Sequence, residues 1–142
     1  MDDRSRSNFL SHALGRILSG VHSYSVVKDD QLVHYGWLTE KSAPSFITEV
    51  EHLYEYPPNS AVMWDFYTHP LYRGQGLYSE TLRQILSDAA ANPATEFIYI
   101  AVLADNVSSR KAIERVGFMY HESILRNTRF GKATFKVGKN VA

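Results

Sequence analysis

The chain has 142 residues, 44% of them hydrophobic and 21% charged, and 15 basic residues balance 15 acidic ones. This composition predicts one soluble domain over residues 1–142, and the even charge disfavours nucleic acid or an anionic membrane surface as the main partner. The absence of cysteine excludes disulfides and thiol catalysis, and no apolar run reaches the about 20 residues of a membrane-spanning helix, so a cytoplasmic location is expected.

The first 54 residues predict a helix, a two-stranded hairpin and a second, short helix. Ser7 suits the cap of the first helix, and apolar residues then recur at helical spacing until Gly20 closes it. β-branched and aromatic runs on either side of Asp29-Asp30-Gln31 predict the hairpin, and Pro44 suits the first turn of the short helix. The apolar residues that mark the first helix span 9–18, the predicted strands are 22–28 and 32–39, and the second helix is predicted over 44–54.

The rest of the chain predicts a strand, a helix, a strand, a helix and a final hairpin around Arg126-Asn127-Thr128. Phe97–Leu103 is a continuous apolar run, which favours a strand covered on both faces. A strand–helix–strand unit between two hairpins predicts an α/β fold with a mixed sheet and helices on its faces. The predicted strands are 61–68, 97–103, 119–125 and 129–137. One helix is marked by apolar residues between 82 and 89 and ends before Asn92, and the other extends from its cap at Asn106 to Gly117.

A loop with two glycines, Arg73-Gly74-Gln75-Gly76, lies between the predicted strand 61–68 and the helix that follows. Glycines let successive backbone N–H groups converge on an anion, and the helix N-terminus adds a partial positive charge. Arg73 would contribute a formal charge or brace the loop. The loop alone is also typical of a plain turn, so a second motif decides between the two interpretations.

The second motif, Asn106-x-x-Ser109 followed by Gly117-Phe118, comes after the next predicted strand. Together the two motifs resemble those of the GNAT superfamily over roughly residues 61–120. Arg73-Gly74-Gln75-Gly76 is similar to the pyrophosphate loop of that family. The loop lacks the Gly-Lys-Ser/Thr of a P-loop, which disfavours a phosphate-binding domain of another class.

The resemblance implies a mostly antiparallel mixed sheet with a central, splayed pair of parallel strands and helices on both faces. It also implies transfer of an acetyl or other short acyl group from acyl-CoA to an amine by direct attack, with acetyl-CoA as cosubstrate and no metal. The neutral charge leaves the acceptor open between a small molecule and a peptide. The alternative is a CoA-binding regulatory module or a catalytically weak relative.

By this resemblance, pantetheine pairs with the end of the strand 61–68, and the pyrophosphate rests on backbone amides of residues 74–79. Asn106 and Ser109 lie along the pantetheine arm, although Asn106 is equally typical of an N-cap. Tyr78 stands where the family has Gly or Ala, so its ring points away from the phosphates or lies along the cofactor. The implied cofactor-binding residues are Phe66, Tyr67, Thr68, Arg73, Gly74, Gln75, Gly76, Leu77, Tyr78, Ser79, Asn106 and Ser109.

Two residues are candidates for catalysis, Asp65 and Tyr120. Many relatives carry, at the position of Ile113, a tyrosine that protonates the departing thiolate, and isoleucine cannot donate a proton. Tyr120 is favoured as the substitute over His121 and Tyr67, and unassisted departure is the alternative. Asp65, the nearest carboxylate on the central strand, accepts a proton through water, attracts a substrate ammonium or has only a structural role. The six histidines show no ligand spacing, so no metal site is predicted.

The family's first strand has no counterpart in this sequence, because a helix directly precedes the first hairpin. An exposed strand edge at 22–28 or the apolar helix face within 9–18 predicts a homodimer, and a longer natural chain with residues before Met1 is the alternative. The segment 44–58 would wall the acceptor side. Four aromatic residues are expected either to line that side or to pack in the core: Trp37, Tyr54, Tyr56 and Trp64.

Overall fold

The computed structural model describes residues 3–40, 45–47 and 52–139, which divide into two compact units. In chain order the elements are α1 (Asp3–Leu18), β1 (His22–Lys28), β2 (Gln31–Thr39), β3 (Ser45–Ile47), β4 (His52–Tyr54), β5 (Ser60–Thr68), α2 (Leu77–Ala91), β6 (Phe97–Ile100), α3 (Val107–Arg115), β7 (Ser123–Arg129) and β8 (Lys132–Gly138). The first unit is Met1–Ala43 with Tyr56–Ala101, and the second is Pro44–Glu55 with Val102–Ala142. Within the described part of the chain, no helix is long and apolar enough to cross a membrane.

The first unit is built on a four-stranded sheet in the order β1-β2-β5-β6. β1 pairs with β2 and β2 with β5 in antiparallel fashion, whereas β5 and β6 are parallel neighbours. Asp29 and Asp30 connect β1 to β2 with φ of 50° and 60°, the left-handed conformation that a tight two-residue hairpin turn requires. The predicted mixed sheet, its first hairpin and its parallel pair are therefore confirmed.

Helices α1 and α2 cover opposite faces of this sheet, as the sequence predicted. Side chains alternate between the two faces along a strand, so Tyr35 and Gly36 of β2 belong to different faces. The ring of Phe9 on α1 lies 5.5 Å from that of Tyr35, whereas Tyr24, the β1 partner of Gly36, donates its hydroxyl to Asp88 on α2 at 2.8 Å. The buried apolar residues of this unit include Val33, Leu38, Ala61, Met63, Leu82, Ile85 and Ala89.

The prediction of a helix over residues 44–54 is wrong. The described parts of this segment are the strands β3 and β4, which pair antiparallel from Ser45 opposite Tyr54 to Ile47 opposite His52. The apolar spacing fits three helical turns, but so short a helix is marginal by itself, and the segment is rich in the β-branched and aromatic residues that favour strands. Residues 48–51 lie outside the described residues.

Two further boundaries differ from the sequence-based expectation. β6 ends at Ile100 instead of Leu103, and its side chains are exposed or half-buried, so the expectation of a strand covered on both faces is wrong. The reason is that β6 forms an edge of the four-stranded sheet, where less of each face is covered. Helix α1 begins at Asp3, so Ser7 lies inside the helix instead of capping it.

In the second unit, β7 and β8 form the predicted final hairpin, but its turn lies at Phe130-Gly131, C-terminal to the predicted position. Both turn residues have positive φ, 50° and 73°, as a tight turn requires. Tyr54 of β4 hydrogen-bonds to Glu122, and the rings of His52 and Phe135 stack at 4.3 Å. The β3–β4 hairpin therefore contacts the final hairpin within this unit.

Candidate functional site

The parallel strands β5 and β6 are paired only along the first half of β5. Their pairing runs from Ser60 opposite Phe97 to Met63 opposite Ile100, where β6 ends. β5 continues to Thr68 and remains paired on its other side with β2, whose His34 lies opposite Thr68. Among the described residues, the β6 side of the segment 64–68 has no strand partner. The predicted pantetheine-pairing residues 66–68 lie on this open edge.

A β-bulge shapes the same segment of β5. Trp64 pairs with Trp37 and Tyr67 pairs with Tyr35, so two residues of β5, Asp65 and its successor, stand opposite one residue of β2. Asp65 takes φ of 52°, a conformation that Asp tolerates better than most residues. Bulges redirect side chains. Here the bulge turns the side chains of both Trp64 and Asp65 to the face covered by α1, where Arg16 contacts them.

The loop after β5 is held against the strand end by its own side chains. The Nδ1 atom of His69 accepts a hydrogen bond from the Leu71 amide at 3.2 Å, and Arg73 donates its Nε–H to the Thr68 carbonyl at 3.3 Å. Arg73 therefore braces the loop, which was one of its two predicted roles. Gly74 and Gly76 take φ of 74° and 80°, and the space where a Cβ would stand is open at both.

Helix α2 begins at Leu77 directly after this loop, with Gly76 as its cap residue. Glycine has no side chain to cap the helix, and the Glu80 amide is the one that bonds back to the Gly76 carbonyl at 3.0 Å. The N–H groups of residues 77–79 precede that bond and have no acceptor within the helix. An exposed glycine loop with positive φ, leading into these amides, is suited to an anion.

Tyr78 turns its ring towards the sheet. The ring lies 5.2 Å from Phe66 in an edge-on arrangement and 6.3 Å from His34, between centroids, and it is half-buried. The Phe66 ring in turn covers Gly36, where an added Cβ would stand 2.3 Å from Phe66 Cε1. Tyr78 therefore packs against the end of β5. Its ring does not block the loop, although the GNAT pattern described above has Gly or Ala at this position.

His34 is a buried residue beside the candidate site that sequence reasoning missed. It is fully buried, and its Nδ1 lies 2.8 Å from the Thr68 hydroxyl at the end of β5, while its Nε2 has no partner among the described residues. Burial lowers the pKa of His34 below its ordinary value, so the neutral ring is favoured. The one sequence feature that could have indicated its burial is its position in β2, where it lies on the same face as Gly36 and Leu38.

Because the pKa of His34 is lowered in the folded protein, we expect the free energy of unfolding to decrease in acid. As the pH falls through about 6.5, the unfolded chain binds a proton at His34 that the folded chain does not, so the free energy of unfolding decreases. His34→Asn retains an amide near the Nδ1 position but does not titrate. Urea unfolding at about pH 7.5 and about pH 5.5 should therefore show a smaller loss of stability in His34→Asn than in the parent. Equal losses in both proteins would contradict this.

Asp65 is ion-paired with Arg16 of α1. A guanidinium nitrogen lies 2.5 Å from the carboxylate, and the guanidinium carbon lies 4.4 Å from the Trp64 ring centroid and 4.9 Å from that of Trp37. Burial, and after it the Asp65 carboxylate, raise the pKa of Tyr35, so its hydroxyl stays neutral beside this pair. The sequence did not single out Arg16, because a cation on an amphipathic helix is ordinarily a solvated surface residue.

Two of the four aromatic residues expected at the acceptor side contact each other. Trp37 and Trp64 pair across β2 and β5, with ring centroids 6.5 Å apart. Tyr56 instead packs near β6, 5.2 Å from the Tyr99 ring. Tyr54 belongs to the second unit, where it bonds Glu122 as described above.

In the second unit, the Asn106 side chain caps α3 by accepting a hydrogen bond from the Ser109 amide at 3.2 Å, which confirms the N-cap interpretation. Ile113 is buried, so a tyrosine in its place would overpack the unit and would not be a neutral replacement. Tyr120 is 60% exposed, and its hydroxyl lies 2.9 Å from that of Ser123. In the described ranges, no group of three or more side chains is arranged to hold a metal ion.

A family model described as "Acetyltransferase (GNAT) domain" matches residues 11–119 of this chain. The matched range includes the second half of α1, the whole four-stranded sheet, the glycine loop and α3. None of the curated proteins matches the chain at a significant level.

Solved structures share the fold at low sequence identity. The aminoglycoside 6′-N-acetyltransferase AAC(6′)-Ig of Acinetobacter haemolyticus is 18% identical, with 87% of this chain and 80% of that chain covered and a TM-score of 0.60. The aminoglycoside N-acetyltransferase AAC(6′)-Iy, solved with CoA, is 11% identical, with 89% of both chains covered and a TM-score of 0.64. The protein yncA of Salmonella typhimurium, solved with its cofactor acetyl-CoA, is 16% identical, with 93% and 70% covered and a TM-score of 0.62.

Proposed function

Because this chain belongs to the GNAT acetyltransferase family, we propose that its first unit holds acetyl-CoA along the open edge of β5 and on the loop Arg73–Gly76. The chain is an acyl-CoA-dependent N-acetyltransferase, and its reaction moves an acyl group to an amine. This placement rests on one observation. β5 continues beyond Met63, where its pairing with β6 ends, and the loop that follows β5 contains two glycines at which an added Cβ would meet no other atom.

The two parts of this surface fit the two parts of CoA. The backbone of β5 after Met63, which has no strand partner on its β6 side among the described residues, suits the amide-containing pantetheine arm, which can add to the edge as a strand would. The amides of residues 77–79 and the partial charge of the helix start suit the pyrophosphate. Arg73 keeps the loop in place through its bond to Thr68. Asn106 and Ser109 complete the proposed set on the strength of the family motif, as residues along the pantetheine arm.

The protein's part in the chemistry is placement and charge stabilisation. Acetyl-CoA supplies the thioester carbonyl that the amine attacks. Backbone N–H groups at the open edge of β5 are proposed to stabilise the negative charge that develops on the carbonyl oxygen. Asp65 is the proposed residue that faces the acceptor, and Tyr120 is the proposed proton donor to the departing thiolate.

Replacement of Tyr120 by Phe tests the proton donor. We expect kcat to fall at least about tenfold, because general acid catalysis contributes through the proton and not through the ring. His121→Ala is the matched control and should leave kcat unchanged. A Tyr120→Phe enzyme with the parent's kcat would instead support unassisted departure of the thiolate.

We propose a small-molecule amine as the acceptor, because AAC(6′)-Ig and AAC(6′)-Iy are aminoglycoside acetyltransferases of the same fold. Release of free thiol from acetyl-CoA, measured across a panel of small amines and of peptides with free N-termini, tests the proposed function. The expected result is thiol release that depends on a small amine. Acetyl-CoA binding without turnover on any amine would contradict the proposal and favour a regulatory CoA-binding module.

We further propose that residues 1–142 form one GNAT domain that is cytoplasmic and assembles as a homodimer. β1 is an outer strand of the described sheet, with Val27 61% exposed, and α1 exposes Leu10, Leu14 and Leu18. Exposed strand edges and apolar helix faces are usually covered. Sedimentation equilibrium at micromolar concentration should give twice the chain mass, and the mass of a single chain would contradict the dimer.

A further inference from the structure

A cation-binding site on the face of the sheet covered by α1 is filled by a side chain of the protein itself. The site consists of the Asp65 carboxylate and the indole rings of Trp37 and Trp64, and the Arg16 guanidinium occupies it. A carboxylate beside the faces of two indole rings is a combination that attracts guanidinium and ammonium groups of any origin. The bulge in β5 creates it, since it turns Trp64 and Asp65 to the same face.

Both charged groups of this ion pair are accessible from solvent. Its side chain is 29% exposed and that of Asp65 is 39% exposed, so water reaches both charges. An ion pair between partly exposed groups is worth little, because water screens it and a long side chain loses rotamer freedom on forming it. Arg16 also reaches the site from a helix, by one flexible side chain, so the guanidinium can leave without unfolding any element.

The site stands next to the proposed position of the thioester. Asp65 is the second residue of the open segment 64–68, and residues 66–68 are those proposed to pair with pantetheine. At the rise of about 3.3 Å per residue in a strand, Asp65 is separated from them by about 3–10 Å along β5. A short alkyl chain spans such a separation.

We propose that this site binds a positively charged group of the acceptor, and that Arg16 stands in for that group until the acceptor displaces it. The inference rests on the proposed function and narrows its substrate class. An ammonium paired with Asp65 is held in its charged form and cannot attack a carbonyl. The acceptor therefore carries two nitrogen groups, one cation bound at the site and one amine that is acetylated. The class is a diamine or a guanidino-amine with a short alkyl spacer.

Tryptophan fluorescence reads this site directly, because the chain's two tryptophans are the two that form it. The probes are agmatine, which carries a guanidinium and an ammonium group, and 1-butanol, which has the same alkyl chain and no charge. Agmatine should change the emission saturably in the absence of acetyl-CoA. Arg16→Gln should bind agmatine about tenfold more tightly than the parent, since the internal competitor is gone. Asp65→Asn should lose the difference between agmatine and 1-butanol.

Arg6→Gln is the matched control, since Arg6 is an exposed arginine on the same helix, and it should bind agmatine as the parent does. Circular dichroism melting verifies that each variant is folded. Folded Arg16→Gln with no saturable response to agmatine, or with an affinity equal to that of the parent, would overturn the proposal and leave Arg16 as a structural contact. The proposed function fails separately, because thiol release from acetyl-CoA does not enter this measurement.

Discussion

Gly76→Asp is expected to abolish CoA binding while the protein remains folded. Gly76 takes φ of 80° at the start of α2, and an added Cβ would meet no atom within 4 Å. The new carboxylate would lie among the amides proposed for the pyrophosphate, where it would repel the phosphates and accept the hydrogen bonds meant for them. We expect a loss of at least about a hundredfold in affinity by calorimetry, which is about 2.7 kcal/mol.

Gly76→Asn separates the effect of charge from that of shape. Asn and Asp are nearly equal in size and tolerate the left-handed conformation similarly, so both variants introduce the same backbone strain. The Asn variant should therefore lose much less affinity for CoA than the Asp variant. Equal affinities in Gly76→Asp and the parent, with both proteins folded, would remove the pyrophosphate from this loop.

Gly36→Ala is expected to lower the free energy of unfolding by about 1–3 kcal/mol, the usual cost of overpacking. An added Cβ would stand 2.3 Å from Phe66 Cε1 and 2.5 Å from Cδ1, so the Phe66 ring must move. Phe66 also contacts Tyr78 at the start of α2, with ring centroids 5.2 Å apart, so the displacement should weaken CoA binding as well. Urea unfolding and calorimetry measure the two effects.

Gly15→Ala is the control for this substitution. Gly15 lies within α1 and an added Cβ meets no atom within 4 Å, so alanine should stabilise the helix by about 0.5–1 kcal/mol. The two glycine-to-alanine changes should thus have opposite signs. A Gly36→Ala protein as stable as the parent would show that Phe66 has room to shift and that the bulge tolerates a side chain opposite it.

Local sequence signals were sufficient where a residue's role depends on its immediate neighbours in the chain. Asp29 and Asp30 predicted a tight turn, Asn106 predicted a helix cap, and the two glycines predicted a loop between a strand and a helix. The structure places each of these as expected. Such features require only a backbone conformation that few residue types adopt readily.

The sequence failed where the outcome depends on partners that are distant along the chain. The segment 44–54 has helical spacing, yet its described parts pair as strands, because the pairing of Ser45–Ile47 with His52–Tyr54 outweighs a weak helical preference. The fully buried His34 could not be recognised before Thr68 and Tyr78 were placed around it. Arg16 and Asp65 are 49 residues apart, and no local pattern joins them.

The most direct test of the proposed cofactor site is the response of individual backbone amides to CoA. Amide chemical shifts followed by NMR during a titration with CoA should change at Gly74, Gly76 and residues 77–79, and along the open edge 66–68. Amides of β1, which lies at the opposite edge of the described sheet, should not respond. Shifts confined to other parts of the chain, with the loop and the edge of β5 unchanged, would contradict the placement of acetyl-CoA.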